Sequence, residues 1–259
     1  MSYALITGAS KGIGKEIAIE LARRKYDLIL VARSEDALST LTSHLISEYG
    51  IKCHYFIADL STEEGMDKIV SSFKKLNVEL SVLVNNAGYG LWGRFEKIPL
   101  EELTSLMKIN MFLPVKLTYL LLPELRKSKQ AYILNIASTT AYQAVPKLAI
   151  YAACKTFMIQ FSRALNYELR LTNVSVTCVS PGTTDTNFMD AAGMNSEAIR
   201  KKADKVKMKP SVVAKFAVQS MFKKKNEAIP GWLNKISVAL IPFLPKALTE
   251  KIAAGIYEK

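Results

Sequence analysis

A tyrosine and a lysine lie four residues apart in the stretch Tyr151-Ala-Ala-Cys-Lys155. If this stretch is helical, the spacing puts the phenol and the ammonium on one face, one turn apart. A cation beside a phenol favours the phenolate and lowers its pKa from about 10 toward the working range of a general acid. An isolated pair of this kind is more often one packed ring and one solvated charge. Catalysis is favoured only if other parts of the chain supply a matching site.

Three glycines separate the first predicted strand from the first predicted helix. The strand Tyr3–Thr7 runs into the loop Gly8-Ala-Ser-Lys-Gly12-Ile-Gly14, and an apolar helical pattern follows. In such a unit, backbone N–H groups and the helix N-terminus hold a pyrophosphate. The spacing G-x-x-x-G-x-G differs from the commonest dinucleotide fingerprint, yet three glycines here favour nucleotide binding over a structural turn.

The end of the second predicted strand indicates which dinucleotide would bind. An acidic residue there would bind the ribose 2′-hydroxyl of NAD. The strand Asp27–Arg33 ends instead in Arg33, and Lys11 lies in the glycine loop. These two cations, with no carboxylate predicted at that corner, suit a 2′-phosphate, although both could be solvated surface charges. We therefore predict NADP(H) rather than NAD.

Polar residues follow the next two predicted strands, at the edge where ligands bind in open α/β sheets. Asp59 and Leu60 follow the strand Lys52–Ala58. Asp59 could accept a bond from the adenine amino group or cap the next helix, for which Ser61 is another candidate. Asn85-Asn-Ala-Gly88 follows the strand Leu80–Val84, where amides could bridge strands and a glycine could let a ribose approach. The same sequence is also ordinary turn chemistry.

An ordered set of motifs now resembles the short-chain dehydrogenases/reductases over about residues 3 to 186. The set consists of Thr7–Gly14, Asn85–Gly88, Asn110, Ser138 and Tyr151-x-x-x-Lys155. The resemblance implies an α/β fold, in which residues 1–259 form a single Rossmann-type domain. Its seven-stranded, doubly wound parallel sheet would be flanked by helices and followed by a C-terminal helical tail. The implied activity is NAD(P)-dependent oxidoreduction of a carbonyl/alcohol pair.

The resemblance also implies four catalytic roles. Tyr151 would donate the proton to the developing alkoxide, and Ser138 would hydrogen-bond the same oxygen. Lys155 would lower the tyrosine pKa and hold the nicotinamide ribose, while Asn110 would anchor a water behind it. Pro114 removes a backbone donor from the long predicted helix 101–127, so a free carbonyl there could hold water. The alternatives are a buried Asn satisfied by its neighbours and a serine in ordinary turn chemistry.

The segment Pro181-Gly-Thr-Thr-Asp-Thr186 resembles the P-G-x-x-x-T motif of the same family. Pro181 would lie near the nicotinamide and Thr186 near its amide or the phosphates, while Thr184 stands where an aliphatic residue is common. The predicted cofactor contacts are Gly8, Ser10, Lys11, Gly12, Ile13, Gly14, Arg33, Asp59, Leu60, Asn86, Ala87, Gly88, Tyr151, Lys155, Pro181, Gly182, Thr184 and Thr186.

Two later segments are assigned more coarsely. Residues 188–225 are predicted to form a substrate lid region, since Phe188, Met189 and Met194 follow a strand's carboxyl end. The basic run at 200–209 would be a solvated helix face or, less favoured, a contact to an anionic carrier. Residues 229–259 are predicted as a helical extension, loosely like that of 3-ketoacyl-CoA reductases and 17β-hydroxysteroid dehydrogenases. Apolar residues alternate with lysines there, as in an interfacial helix, but packing on the domain or a partner subunit is favoured.

Composition excludes several other classes. The net charge is +12, but no stripe of Arg interleaved with aromatics favours nucleic acid. The two histidines have no Cys or carboxylate cluster beside them, so no metal site is expected. Three cysteines at unrelated spacings indicate a reduced protein, and we expect a cytoplasmic one without a signal peptide. Membrane association is not expected, because no apolar run reaches about 18 residues free of charge.

The residues together predict an NADPH-dependent reductase of a partly apolar small-molecule carbonyl compound, which is a 3-oxoacyl, steroid-like or ketone substrate. The alternatives are an NADP(H)-sensing regulator without turnover and a carrier- or membrane-surface docking protein. Apolar side chains on two predicted helices also suggest a homodimer, with a homotetramer as the larger alternative. These side chains are Leu106, Leu117, Leu120, Phe161 and Leu165.

Overall fold

Seven parallel strands form one sheet in the order β3-β2-β1-β4-β5-β6-β7. The structure is a computed structural model that describes residues 2–194 and 196–257. The strands are β1 (Tyr3–Thr7), β2 (Asp27–Ala32), β3 (Cys53–Ile57), β4 (Leu80–Asn85), β5 (Ala131–Ile136), β6 (Val174–Val179) and β7 (Glu227–Ala228). The predicted α/β class and the doubly wound parallel sheet are confirmed.

Helices cover both faces of this sheet. They are α1 (Gly12–Arg23), α2 (Glu35–Tyr49), α3 (Glu63–Leu76), α4 (Leu100–Met107), α5 (Leu113–Leu125), α6 (Ala149–Glu168), α7 (Phe188–Ala191), α8 (Glu197–Asp204), α9 (Pro210–Phe222), α10 (Trp232–Leu240) and α11 (Lys246–Tyr257). Alternate side chains of β1 enter opposite cores, because successive strand residues point to opposite faces. Ala4 and Ile6 pack with α1, α2 and α9, whereas Leu5 packs with α3 and α5.

The apolar runs predict the first six strands to within one residue at each end, the fifth as Ala131–Ala137 and the sixth as Asn173–Ser180. The seventh strand, implied only by the family resemblance, consists of two residues, Glu227 and Ala228, which pair with Cys178 and Val179 of β6. A two-residue strand has no periodicity to read, so only pairing with a neighbour reveals it.

The helix predicted over 101–127 is continuous from Leu100 to Leu125 but contains a π-helical turn at Lys108–Phe112. The Leu113 N–H bonds to the Lys108 carbonyl, five residues back, so the irregular turn precedes Pro114. By length and composition the whole helix could cross a membrane, with a mean hydropathy of 1.2. Its buried leucines nevertheless pack on the sheet, which is the position of a core helix.

The apolar faces predicted to pair two subunits are smaller than the sequence suggests. Leu106 and Leu117 are fully buried within the chain, so they cannot contribute to an interface. Leu120, Phe161 and Leu165 are partly buried. The large side chains that remain exposed on the π turn and α5 include Phe112 and Tyr119, at 48% and 78%.

A homodimer through these helices stays a prediction. Phe112 and Tyr119 are the exposed side chains that we expect at its interface. We expect light scattering at micromolar concentration to give about twice the 28.8 kDa of one chain. Charges in a twofold apolar contact are unfavourable on both subunits at once, so Phe112→Asp/Tyr119→Asp should give the monomer mass. A wild-type mass near that of one chain would contradict the dimer.

The region predicted as a lid divides into two structural parts. Phe188 and Met194, at its start, belong to an apolar cluster around Tyr151. Helix α9, by contrast, packs on α1 with Ala214 and Val218 fully or almost fully buried in the core. The lid prediction for 188–225 is therefore wrong for α9, since its apolar face is covered by the sheet and α1.

Candidate active site

The amide of Asn86 ties the end of β4 to the end of β1. Asn86 Nδ2 donates to the carbonyl oxygens of Thr7 and Gly8, at 3.0 and 3.2 Å. The Thr7 hydroxyl accepts the backbone N–H groups of Asn86 and Ala87, both at 3.1 Å, and donates to Val84 O. The predicted bridging role of the Asn-Asn-Ala-Gly segment is confirmed for Asn86, and it holds the glycine loop against β4.

Gly14, in the first turn of α1, packs too closely against the glycine loop to carry a side chain. A Cβ on Gly14 would overlap the Gly8 carbonyl oxygen and the Asn86 amide. Helix α1 begins at Gly12 behind Lys11, which makes no side-chain cap hydrogen bond. The first N–H groups of α1 therefore remain available to an anion, as in a pyrophosphate site. These features fit a dinucleotide cofactor held at Gly8, Ser10, Lys11, Gly12, Ile13 and Gly14.

The two cations predicted to select NADP(H) are both exposed. Ser61 lowers the pKa of Asp59 by hydrogen bonding, and Arg33 contributes through its charge, which places the guanidinium near that carboxylate. The sequence predicted no carboxylate beside Lys11 and Arg33. This is wrong, because Asp59 lies near Arg33. Asp36 lines an open groove of about 410 Å³ together with Ser10 and Lys15.

Asp59 does not cap the helix that follows it. It accepts hydrogen bonds from the backbone N–H and the hydroxyl of Ser61, at 3.0 and 2.7 Å. The N-cap of α3 is Thr62, whose hydroxyl accepts the Gly65 N–H at 3.1 Å. Of the two roles open for Asp59, helix capping is wrong, and Ser61 is not the cap either. The contact of Asp59 and Leu60 with adenine stays a prediction.

Asn110 lies in the π turn and is 1% exposed. Its Nδ2 donates to the carbonyl oxygens of Tyr89 and Leu106, both at 3.0 Å. Within the part of the chain that the structure describes, its Oδ1 has no hydrogen-bond partner. A Cβ on Gly88 would lie 2.5 Å from this Oδ1 and 3.5 Å from Lys155 Nζ. A buried acceptor without a partner beside an ammonium suits a bound water or ribose hydroxyl.

Tyr151 and Lys155 share the buried side of α6 at its first turns, at 8% and 5% exposure. Lys155 Nζ donates to the Ile136 carbonyl at 3.0 Å and lies 5.6 Å from the centroid of the Tyr151 ring. Burial lowers the pKa of Lys155 to about 8. The lysine is therefore still protonated at neutral pH.

The predicted lowering of the Tyr151 pKa by Lys155 is wrong for this arrangement. Burial raises the pKa of Tyr151 above its usual value, which outweighs the opposing hydrogen bond with Ser138. The phenolate would lose its hydration in the apolar cluster, and the ammonium is directed at Ile136 O instead of the phenol. Tyr151 consequently keeps its proton at neutral pH.

Ser138 follows β5 and is half-buried. Its hydroxyl accepts the Thr140 N–H at 3.2 Å and caps a short 3₁₀ helix, Thr139–Tyr142. The same hydroxyl influences the pKa of Tyr151, so the two side chains meet as predicted. The turn chemistry of Ser138 is confirmed, while its hydrogen bond to a substrate oxygen stays a prediction.

The segment after β6 lies beside the glycine loop. The Pro181 carbonyl accepts the Thr139 N–H at 2.9 Å. A Cβ on Gly12 would lie 3.1 Å from the methyl of Thr186, so this threonine covers the loop. Thr184 bonds back to the Gly182 carbonyl at 3.0 Å and pairs with Met208. The three predicted elements of the cofactor site (glycine loop, Asn86–Gly88 and Pro181–Thr186) are thus adjacent.

Comparison with known proteins agrees with this geometry. Residues 2–197 match the short-chain dehydrogenase family. This chain belongs to that family. It is 37% identical over 182 residues to a very-long-chain 3-oxoacyl-CoA reductase of Phaeosphaeria nodorum. That match includes 69% of this chain and 53% of the relative, so the chain spans about half the length of the curated relative.

Solved structures share the fold of this short-chain dehydrogenase. One is a short-chain dehydrogenase from Sphingobium yanoikuyae in complex with NADPH, with a TM-score of 0.82, 26% identity and coverage of 95% and 97% of the two chains. Another, from Burkholderia phymatum in complex with NAD, has a TM-score of 0.83 over 92% of each chain. Its 20% identity shows the fold alone.

The C-terminal helix of this short-chain dehydrogenase covers Tyr151, which the sequence did not predict. Tyr257, at the end of α11, is close enough to Tyr151 to raise its pKa. Its carbonyl accepts the Trp92 indole N–H at 3.0 Å. Phe188 closes another side, with its ring 5.2 Å from that of Tyr151. No local pattern marks Tyr257, because the contact joins positions more than 100 residues apart.

We expect Tyr257 to limit the size of the substrate. Tyr257→Ala should raise kcat/KM for bulky carbonyl compounds relative to small ones by about tenfold, since one ring of pocket wall is removed. Tyr257→Phe keeps the ring and should leave the ratio unchanged. The Trp92 bond goes to the backbone of Tyr257, so neither change removes it. An unchanged ratio in the Ala variant would show that Tyr257 does not line the pocket.

Proposed function

We propose that this chain is an NADP(H)-dependent reductase of partly apolar carbonyl compounds of the 3-oxoacyl type. The observation that carries this is the convergence of Tyr151, Ser138 and Lys155 at the carboxyl edge of the sheet. Asn110 and the glycine loop lie at the same edge. A phenol, a hydroxyl and an ammonium there can serve a carbonyl oxygen that gains a proton.

The chain's own residues would handle the proton and the developing charge. When bound, the nicotinamide supplies the hydride. Tyr151, kept protonated by burial, donates its proton to the carbonyl oxygen, and Ser138 donates a hydrogen bond to that oxygen. Lys155 stays charged below about pH 8 and would hold the nicotinamide ribose beside Tyr151. Asn110 Oδ1 holds a water that can return a proton.

The raised pKa of Tyr151 suits its role as the proton donor in carbonyl reduction. A general acid must begin protonated, whereas the reverse reaction needs the phenolate as base. Burial stabilises the neutral phenol, so the proton donor is the form that predominates at neutral pH.

The substrate class is supported by the lining of the site and by the relatives. Apolar side chains surround Tyr151, and they include Leu106, Val145, Leu148, Phe188, Met189 and Met194. A carbonyl carried on an acyl chain matches such a lining, and the curated relative acts on very-long-chain 3-oxoacyl-CoA by its name. The alternatives within the same chemistry are steroid-like and simple ketones.

The test is NADPH oxidation by purified protein with 3-oxoacyl-CoA esters, steroid ketones and small ketones, each with NADPH and with NADH. We expect turnover to be highest with NADPH and a 3-oxoacyl thioester. Saturable NADPH binding without reduction of any carbonyl would indicate a nucleotide-sensing protein instead. Cytoplasmic localisation stays a prediction that fractionation of cells can check.

A further inference from the structure

The C-terminal extension has a large apolar surface that faces outward. We call it the tail surface and define it by nine side chains that are 39% to 83% exposed: Trp232, Leu233, Ile236, Leu240, Phe243, Leu244, Leu248, Ile252 and Ile256. Predicted packing of this segment on its own domain is wrong for these side chains. Large apolar side chains exposed in this number mark a site where another surface binds.

Helix α10 presents the tail surface by a regular pattern. Trp232, Leu233, Ile236 and Leu240 fall on one side at helical spacing, with Trp232 71% exposed. The buried residue of the helix, Val238, falls on the opposite side at 9% exposure. Since the inward side is already packed, the outward apolar side is available for another surface.

Helix α11 is held in place by contacts on its inner side. Thr249 and Ala253 are buried. Lys202 Nζ donates to the Gly255 carbonyl at 2.6 Å, and Trp92 holds the carbonyl of Tyr257. These bonds orient the row of Leu248, Ile252 and Ile256 toward solvent. The apolar row is therefore part of a positioned element.

The charge of α10 and α11 indicates which partner fits the tail surface. Residues 232–257, which include α10 and α11, contain three lysines (Lys235, Lys246 and Lys251) and one acidic residue (Glu250), a net charge of +2. Lys235 on α10 and Lys251 on α11 are exposed beside the apolar rows. Tryptophan and phenylalanine on the apolar side, with lysines at its margin, are typical of helices that lie in a membrane interface.

We propose that the tail surface docks on an anionic lipid bilayer. An apolar face with basic margins can enter the headgroup region while its lysines pair with lipid phosphates. A second copy of this chain fits less well, because it would bring the lysines of two tail surfaces together. The docking concerns a surface helix pair and does not depend on the proposed activity.

The test is co-sedimentation of the full chain with vesicles of phosphatidylcholine, with and without phosphatidylglycerol, at low and high salt. We expect binding to the anionic vesicles and weaker binding at high salt. Trp232→Ser/Phe243→Ser should reduce the bound fraction by about tenfold, because the two aromatic anchors are lost. The matched control is Tyr167→Ser/Leu171→Ser, which removes two side chains of 66% and 88% exposure outside the tail surface and should bind like wild type.

A fluorescence measurement keeps the test independent of variant folding. Trp232 emission should shift to the blue when anionic vesicles are added, and Trp232→Phe should bind the vesicles without that shift. Equal binding of the wild type and the Trp232/Phe243 double variant would overturn the proposal. Absence of vesicle binding would also overturn the proposal. A tail-dependent dimer in light scattering would then assign the tail surface to contact with a second copy.

Discussion

Replacing Tyr151 with Phe should lower kcat by about 10²- to 10⁴-fold, the usual contribution of a general acid. The phenylalanine keeps the ring that packs against Phe188 and loses only the hydroxyl. Affinity for NADPH should be nearly unchanged, because the glycine loop and Lys155 remain. Steady-state kinetics with the best substrate and NADPH titration by fluorescence measure the two effects separately.

The matched control is Tyr132→Phe. Tyr132 is also a partly buried tyrosine, but it packs edge-on against Phe222, in the core next to α9. Loss of its hydroxyl should leave kcat unchanged. A Tyr151→Phe enzyme with near-normal kcat would mean that another group donates the proton, and the proposed chemistry would have to be abandoned.

Replacing Lys11 and Arg33 together with Ala should weaken NADPH binding by about 10²- to 10⁴-fold. Each charge-assisted contact to a 2′-phosphate contributes about 1.5–3 kcal/mol, and about 1.4 kcal/mol corresponds to a tenfold change in Kd. NADH carries no such phosphate, so its Kd should change little. Both side chains are exposed, which makes loss of folding an improbable cause of weaker binding.

Lys52→Ala/Arg126→Ala serves as the control for net charge. It removes one exposed lysine and one exposed arginine outside the predicted cofactor site. NADPH affinity should remain near that of the wild type, apart from a small salt-dependent change. If the wild type binds NADH more tightly than NADPH, the assignment fails. Asp36, which shares a groove with Ser10, would then be the group to test as the ribose ligand.

The side chains that cover Tyr151 affect how its variants are interpreted. Tyr151 is 8% exposed, with the Phe188 ring 5.2 Å from its own and Tyr257 nearby, so a carbonyl compound at the phenol must fit beside these side chains. Entry of a substrate would also change the polarity around Tyr151. The pKa shift caused by burial therefore describes the covered arrangement, in which the tyrosine is a stable proton donor.

The sequence by itself determined the family, the six longer strands and the residues that meet at the candidate site. These features are local, because each depends on neighbours in the chain. The glycine turn lies between a strand and the next helix, and the tyrosine and lysine lie one helical turn apart. Asn110 in a disturbed helix could also be predicted, since Pro114 has no N–H to donate. Their convergence follows from the parallel sheet, which brings strand ends to one edge.

Only the tertiary structure decided the features that depend on burial between distant segments. The pKa of Tyr151 is raised because Phe188, Tyr257 and the cluster around them exclude water, which outweighs the short spacing to Lys155. Burial between distant segments also makes α9 a core helix instead of part of a lid, because its apolar side packs on α1 and the sheet. It also leaves the apolar side of α10 and α11 exposed, because their inner contacts already satisfy the domain. A helical pattern identifies an apolar side, but what covers that side is set by the whole fold.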